Sequence, residues 1–245
     1  SVDGSPDVVK PFLVVSASAL EDKIDALAAL PREVWSSTLF DDGERMRAIL
    51  MQRRLGQEQA YLNSGHSSAL CRTATYISRA ALVGDQLSGV GSYLFLKDLL
   101  AAWDERKDAF AEKLRDLTGR IFRADGALVS FTGSAAMRAR FQELAGTLGL
   151  PSGALGPMLE VPEPAVRNEA FVTPSNVAFT CEIAPRSAHD AGTHGLWAVA
   201  TRVLSYDYLW NEVRVKGGAY GTGFRYNANG SMQFWSYRDP GIDAT

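Results

Sequence analysis

The sequence of 245 residues has few of the side chains that most often build metal centres, with two cysteines and three histidines. Cys71 and Cys181 lie far apart, and their spacing fits neither a disulfide framework nor a zinc knuckle. Both have apolar neighbours, so we expect buried free thiols, because a free cysteine commonly behaves as a small core hydrophobe. Unpaired thiols agree with a reducing compartment.

Long apolar runs and a large excess of one charge are also absent. No stretch of about 18 apolar residues occurs, so no membrane-spanning helix is expected. The net charge is −3 at pH 7 and there is no basic stripe, which argues against a nucleic-acid partner. The composition is that of a soluble globular protein with enough residues for one large or two modest domains.

The histidines do not form a recognisable metal or nucleophile motif. His189 and His194 are five positions apart, whereas zinc ligands on a helix stand three or four apart with a third ligand nearby. We expect both to be polar groups at the start of a helix. His66 lies in a Gly-His-Ser sequence without the Gly-x-Ser-x-Gly pattern of a nucleophile elbow, which favours a turn histidine. The inverted zinc motif H-x-x-E-H occurs nowhere in the sequence.

The pattern of apolar residues predicts an α+β fold whose N-terminal part is rich in helices. Short apolar runs with β-branched residues predict strands at 11–17 and 127–133. Ser18 and Glu21 form a capping box that predicts a helix start, and Pro31 ends that helix or begins the next turn. Helices are predicted at about 18–31, 41–62, 67–83, 98–119 and 134–148.

Five prolines between residues 151 and 174 predict an extended linker, because proline fixes its own backbone and restricts the residue before it. This is the best domain boundary in the chain. The hairpin prediction beyond it depends on Asn229-Gly230, since Asn-Gly between alternating strands is the strongest short-range hairpin signal. The elements expected there are a strand at 176–183, a polar helix start at 187–193, a helix at 194–211 and hairpin strands at 223–227 and 231–237.

The most informative segment is Arg214-Val215-Lys216-Gly217-Gly218-Ala219-Tyr220-Gly221. It places two donors for a peptide carbonyl, Arg214 and Tyr220, on either side of a glycine corner. Fixed donors stabilise the oxyanion that forms when water attacks an amide. Glycine lets the backbone come close to a ligand. No group that could activate the water accompanies them, so the segment looks like half of an active site.

Other interpretations of this segment are open on spacing alone. Arg214 could form an ion pair with Glu212 or Asp207, with Tyr220 as an ordinary hairpin aromatic. A nucleotide site fits poorly, because Lys216 precedes the glycines, whereas a P-loop carries its lysine after them.

The segment around this corner resembles the presequence-protease branch of the pitrilysin/insulinase-type zinc metallopeptidases, through Leu209 to Arg214 followed by Gly217 to Gly221. Residues 65–99 resemble the same branch less specifically. The resemblance implies two homologous halves, one binding zinc through H-x-x-E-H and the other closing over the substrate. It implies that Arg214 and Tyr220 are the catalytic pair that contacts the substrate. A peptide laid beside strand 221–227 could then add to the sheet edge, which the small residues of the corner keep open. The substrate-binding residues would be Gly217, Gly218, Ala219 and Gly221.

The same resemblance implies the domain organisation. Residues 1–150 are expected to be the helix-rich end of the first α+β domain of the C-terminal half, 151–168 a proline-rich linker, and 169–245 the start of the final α+β domain. Both domains are expected to pack helices on mostly antiparallel sheets. The chain is expected to be a fragment, because it stops just after a hairpin that no following helix covers.

The expected function is that of the non-zinc part of a zinc-dependent metalloendopeptidase that degrades unfolded peptides. Zinc is expected in the absent N-terminal half and not in this chain, so the chain alone is expected to be inactive. The expected partners are peptide substrates and that N-terminal half, with no nucleic acid and no membrane. The expected setting is the mitochondrial matrix or plastid in a eukaryote and the cytoplasm in a bacterium.

Two alternatives to this function stay open. The chain could belong to a catalytically dead relative that acts as a peptide-binding or scaffold subunit. It could also be an unrelated α+β module with a chance match.

Overall fold

The computed structural model describes residues 9, 11–153, 156, 160–185, 194–227 and 231–241. The α-helices of these residues are Ala26–Ser36 (α1), Gly43–Ala74 (α2), Arg79–Ser88 (α3), Val90–Ala101 (α4), Trp103–Ile121 (α5), Ala135–Ala145 (α6) and His194–Val203 (α7). A π-helix, Leu204–Lys216, continues directly from α7, and 3₁₀ turns lie at Glu21–Lys23 and Ala124–Gly126. The strands Cys181–Ala184 (β1), Gly221–Tyr226 (β2) and Met232–Tyr237 (β3) form an antiparallel sheet in the order β1-β3-β2.

This arrangement confirms an α+β fold with a helix-rich N-terminal part. The described residues fall into two compact units, one from Leu50–Leu100 with Glu160–Thr245 and the other from Pro11–Ile49 with Ala101–Leu159. The predicted domain limits at residues 150 and 168 concern the parts of a longer enzyme and stay a prediction. None of the described helices is both long and apolar enough to span a lipid bilayer.

In the first unit the sheet packs against the second half of α2. The side chain of Gln233 on β3 is buried and donates from Nε2 to the Leu70 carbonyl at 2.8 Å. On β1, the Cys181 thiol lies 3.3 Å from the Thr73 hydroxyl. Residues three apart on a helix share a face, so Leu70 and Thr73, both buried, define the side of α2 that covers the sheet.

Helix α2 is bent at Ser64, whose φ of −144° and ψ of 42° are not helical. The following Gly65 lies so close to Phe179 that an added Cβ would be 2.4 Å from the ring. The bend therefore brings the helix against the segment that precedes β1. The sequence predicts two helices here, at 41–62 and 67–83, and the structure replaces the gap between them with this bend at Ser64.

A partly buried ionic cluster joins α2, α3 and the segment after the proline-rich stretch. Arg72 donates from Nη1 to Asp85 Oδ2 at 2.7 Å and from Nε to Glu169 Oε2 at 2.7 Å. Tyr76 donates to the same Glu169 oxygen at 2.7 Å. The hydrogen bonds from Arg72 lower the pKa of Glu169 to about 2. Burial, more than any other effect, raises the pKa of Tyr76 to about 12. The Asp85 carboxylate is buried and depends on Arg72, because a buried charge is stable only when it is paired.

Asp85 also caps the start of α4. Only 5% of this residue is exposed, and its carboxylate accepts the N–H of Val90 at 2.9 Å and of Gly91 at 3.0 Å. First-turn N–H groups have no partner inside their helix, and the helix dipole favours a carboxylate there. A Cβ on Gly89 would come 2.5 Å from Asp85 Oδ1, so the glycine leaves the space that the carboxylate occupies.

In the second unit, aromatic side chains hold the helices together. Trp35 of α1 packs against Phe122 with 5.4 Å between ring centroids and donates from Nε1 to the Leu148 carbonyl at 3.1 Å. Phe131 stacks on Phe141 of α6 at 4.4 Å. Buried or half-buried rings therefore form the contacts around α1 and α6.

The first helix differs from its prediction. It begins at Ala26 and not at the predicted capping box of Ser18 and Glu21, which lead into a 3₁₀ turn instead. Pro31 lies inside the helix and does not end it. It stands in the second turn, where it cannot donate to the carbonyl four residues earlier and its ring crowds that carbonyl.

The strands predicted at 11–17 and 127–133 are wrong, because both segments lack regular structure. Their apolar side chains are exposed, with Val14 at 75% and Leu128 at 89%. A strand is stable only beside a partner, and no strand in the described part of the chain pairs with either segment.

The prediction of buried thiols is wrong for Cys71, which is exposed, while Cys181 is partly buried. The neighbouring Leu70 takes the buried position on α2, at 6% exposure, and turns Cys71 towards solvent. Burial, more than any other effect, raises the pKa of the Cys181 thiol.

Several element limits differ from the predicted ones. The helix predicted at 67–83 is divided between α2 and α3, and the one at 98–119 between α4 and α5. The hairpin strands and the extended proline-rich stretch are confirmed within the described residues, whereas β1 covers only the end of the strand predicted at 176–183. The predicted helix start at 187–193 and the turn Asn229-Gly230 lie outside the described residues.

Glu169→Gln is expected to lower the free energy of unfolding by about 1 to 2 kcal/mol at pH 7, because Arg72 loses one of its two anionic partners and solvent screens this pair only in part. The folded-state pKa of Glu169 lies below the unfolded value of 4.5. The stability difference between wild type and variant is therefore present above pH 4.5 and should disappear as the pH falls towards 2. Urea unfolding of both proteins across this pH range measures the difference.

Asp116→Asn is the matched control for this variant. Asp116 accepts from Arg120 at 2.9 Å, but both side chains are exposed on α5. Exposed pairs of this kind contribute less than about 1 kcal/mol. Equal losses of stability in the two variants would contradict the predicted importance of Glu169.

Candidate functional site

Arg214 and Tyr220 are brought together where the π-helix joins β2. Arg214 lies near the end of the π-helix, and Tyr220 immediately precedes β2. The guanidinium carbon of Arg214 is 5.7 Å from the centroid of the Tyr220 ring. Arg214 is half-buried, whereas 67% of Tyr220 is exposed. An accessible phenol thus stands beside a partly covered guanidinium.

The described neighbours of the Arg214 guanidinium are aromatic rings. Its central carbon is 3.8 Å from the Trp210 ring centroid, a close cation–π contact. Glu212, one of the possible ion-pair partners of Arg214, accepts from Lys216 Nζ at 2.6 Å instead. Stacking engages the face of the guanidinium and not the N–H donors at its edge.

The corner between the π-helix and β2 is held by main-chain hydrogen bonds. The N–H groups of Gly217, Gly218 and Ala219 donate to carbonyls of the last helical turn at 3.0, 3.0 and 3.2 Å. These bonds satisfy carbonyls that the end of a helix leaves open. The Tyr220 N–H donates to the Arg238 carbonyl at 3.3 Å. In this conformation all four N–H groups are engaged inside the chain.

Both glycines are required by the shape of the corner. Gly218 has a φ of +83°, in the left-handed region that residues with a Cβ rarely adopt. A Cβ on Gly217 would be 2.6 Å from the Val213 carbonyl oxygen, which is backbone and cannot rotate away. The tight turn leaves Ala219 only 2% exposed and directs the chain outward at Tyr220.

Ser205 fixes the π-helix to β2. Its hydroxyl accepts the Phe224 N–H at 3.0 Å and donates to the Phe224 carbonyl at 3.3 Å. In an antiparallel strand the main-chain groups of alternate residues point away from the partner, so those of Phe224 face away from β3. The addition of a peptide strand beside 221–227 is therefore blocked at Phe224 while this hydroxyl is in place.

His66 is a structural residue beside the site. It lies in α2 just after the bend, and its ring is 4.7 Å from Tyr237 and 5.3 Å from Trp235. The Tyr237 ring is in turn 5.8 Å from Tyr220. Burial, followed by the positive charge of Arg225, lowers the pKa of His66. A neutral imidazole therefore packs among aromatic rings at pH 7, within a helix and not in the predicted turn.

The residues that the structure describes contain no group of three or more His, Cys, Asp and Glu side chains able to hold a metal ion. His189 and the side chain of His194 lie outside them, so their predicted place at a helix start stays a prediction. The described site offers donors to a carbonyl oxygen.

Sequence reasoning assigns no role to Trp210 or Ser205. For Trp210 a signal exists, because residues four apart on a helix are neighbours and Arg214 follows it at that interval. Ser205 carries no such signal, since its bond to Phe224 joins residues 19 positions apart.

Two protein-family models match the chain. The model for the region associated with M16 peptidases of subfamily C matches residues 1–99, and the model described as PreP C-terminal domain matches residues 168–245. The second match contains the whole corner from Arg214 to Gly221.

Similar proteins occur in bacteria and eukaryotes. Protein HypA of Clostridium perfringens is 29% identical over 96% of the chain and 24% of its own length. The mitochondrial presequence protease of Danio rerio is 26% identical over 98% of the chain and 26% of its own length. Presequence protease 1 of Arabidopsis thaliana, chloroplastic/mitochondrial, is 25% identical over 94% and 22%. The chain thus spans about a quarter of the length of these curated relatives.

Gly217→Ala is expected to lower the free energy of unfolding by about 2 kcal/mol, because its methyl group would meet the Val213 carbonyl oxygen. Gly56→Ala is the matched control. Gly56 lies inside α2 with nothing within 4 Å of an added Cβ, so alanine should stabilise the chain by up to about 1 kcal/mol. Urea unfolding measures both, and a Gly217→Ala chain as stable as the wild type would contradict the described corner.

Proposed function

Because the chain belongs to the presequence-protease-like branch of the M16 peptidase family, as part of its C-terminal region, we propose that it completes the active site of a zinc metalloendopeptidase. The complete enzyme would degrade unfolded peptides. The chain would supply the residues that hold the substrate and stabilise the transition state. The observation that carries this proposal is the pairing of Arg214 with Tyr220 across the glycine corner.

Arg214 and Tyr220 suit a carbonyl oxygen that acquires negative charge. When water attacks a peptide bond, that oxygen becomes an oxyanion, and donors already in place stabilise it more than the neutral carbonyl. The guanidinium contributes a permanent positive charge with several N–H donors, and the phenol contributes one O–H. Interactions that strengthen in the transition state raise kcat and do not merely tighten substrate binding. Both side chains are therefore assigned to the tetrahedral intermediate.

The metal ion is assigned to the other part of the enzyme. The described residues of this chain do not fit as zinc ligands, since no suitable group of His, Cys, Asp and Glu side chains occurs among them. Zinc, and the base that takes the proton from water, therefore belong in this proposal to the N-terminal half of the parent protein. The chain alone is inactive and acts only together with that half.

The glycine corner determines how closely a peptide approaches the two donors. Since the N–H groups of Gly217, Gly218 and Ala219 bond to the helix end, these residues act through shape and leave room beside Tyr220. Gly221 continues this narrow surface into β2. Contacts to the main chain of a peptide tolerate many sequences. The proposed setting is a mitochondrion or plastid in a eukaryote, as the names of two relatives state for those proteins, and the cytoplasm in a bacterium.

Complementation tests this function. The chain is mixed with the N-terminal half of the same protein and zinc, and cleavage of a quenched fluorescent peptide is followed. Neither part alone is expected to cleave the peptide. In the mixture, Arg214→Ala or Tyr220→Phe is expected to lower kcat about a hundredfold, the scale of a lost oxyanion donor. Tyr208→Phe, a tyrosine 61% exposed on the same π-helix, is the control and should leave kcat unchanged.

Three results would contradict the proposal. Full activity of the Arg214 and Tyr220 variants would remove their assigned roles. Turnover by the isolated chain would show that the other half is not needed. A complete, zinc-loaded protein that cleaves no peptide would place the chain in a catalytically inactive relative that binds peptides or supports a complex.

A further inference from the structure

We infer that Trp210 is a positioning residue for Arg214, and that its indole ring holds the guanidinium in the orientation from which it donates to the substrate carbonyl. The inference depends on the function proposed for Arg214 and adds one residue to it. Trp210 acts through Arg214 and needs no contact of its own with the reacting atoms.

The contact is close and is supported by further side chains. The guanidinium carbon of Arg214 is 3.8 Å from the Trp210 centroid, inside the range of about 6 Å for cation–π contacts. Trp210 packs against Tyr206 at 6.4 Å, with the ring planes 34° apart. The guanidinium of Arg202 lies 5.8 Å from the Tyr206 ring. These four residues follow at intervals of four along α7 and the π-helix, and we call them the cation–aromatic ladder.

Stacking fixes the guanidinium without using its donors. An arginine side chain has many rotamers, and ordering it only when substrate arrives would cost conformational entropy. A carboxylate partner would order it by binding the N–H groups that the substrate needs. The indole contacts the flat face instead, so the donors at the edge stay available near Tyr220.

The π-helix that carries the cation–aromatic ladder is hydrogen-bonded to the sheet. Ser205 holds the start of the π-helix to the main chain of Phe224 on β2, and Tyr220 leads directly into that strand. Trp210 and Tyr220 therefore belong to two elements that are bonded to each other. A catalytic group is held most accurately when the residue that orders it is itself on a rigid element.

Trp210→Leu is expected to lower kcat of the complete enzyme roughly three- to thirtyfold, the range that a lost cation–π contact allows. KM should change little, because the donor acts in the transition state. Trp210→Phe keeps an aromatic face and should lose less. Tyr208→Leu removes an exposed aromatic of the same π-helix that is not part of the ladder, and should leave kcat and KM unchanged.

A double variant separates positioning from direct substrate binding. If Trp210 acts through Arg214, the chain with both Trp210→Leu and Arg214→Ala should be no slower than Arg214→Ala alone. The inference would be overturned if the double variant were slower than Arg214→Ala by the whole factor that Trp210→Leu alone loses. So would a Trp210→Leu effect confined to KM, because it would mean that the indole binds the substrate itself.

An NMR measurement on the isolated chain separates failure of this inference from failure of the proposed function. The Nε–H signal of Arg214 should be shifted upfield by the indole ring current in the wild type and in Tyr208→Leu, and should lose that shift in Trp210→Leu. An unshifted wild-type signal would overturn the inference whatever the activity. A shifted signal in an enzyme whose kcat is unaffected by Arg214→Ala would show that the stack exists but that the proposed function, and the catalytic use of the stack, are wrong.

Discussion

The partly buried guanidinium of Arg72 makes the interactions on which the first compact unit depends. It lies between the carboxylates of Asp85 and Glu169, so one side chain joins α2, the capped start of α4 and the segment ahead of the sheet. Arg167 lies 3.9 Å from Glu169 as a second, more exposed base, and the Tyr76 hydroxyl and the N–H groups of α4 add hydrogen bonds to the two carboxylates. Arg72 and Asp85 lie in the stretch matched by one family model and Glu169 in the stretch matched by the other, so the cluster connects the two.

The candidate site is built on elements that this unit holds in place. Gln233 anchors β3 to α2 through the Leu70 carbonyl, and β2 is fixed by its register with β3. The π-helix is bonded to β2 by Ser205. Arg214 and Tyr220 therefore stand at the ends of two anchored elements, and not on a free loop. This is the arrangement that keeps two donors at a constant separation, which a developing oxyanion requires.

The elements that sequence predicts well are those with a local signal. The helices have an apolar period, and the strands of the hairpin alternate around Asn229-Gly230. The segments 11–17 and 127–133 have the composition of strands but no described partner, and a pattern along one segment does not report what lies beside it. The same limit applies to the site. The glycine corner makes the meeting of Arg214 and Tyr220 predictable, whereas the bond of Ser205 to Phe224 joins residues 19 positions apart and has no local signal.

The cap formed by Asp85 restricts which side chains positions 89 and 91 can carry. A methyl group at Gly89 would come 2.5 Å from one carboxylate oxygen, and one at Gly91 would come 2.7 Å from the other. A side chain at position 89 would also come 2.9 Å from the Asp85 Cα, and one at position 91 would come 2.7 Å from Gln86 Nε2, so a smaller residue at position 85 would not by itself make room. Arg72 therefore depends on two glycines that leave the space in which the carboxylate of its partner Asp85 lies.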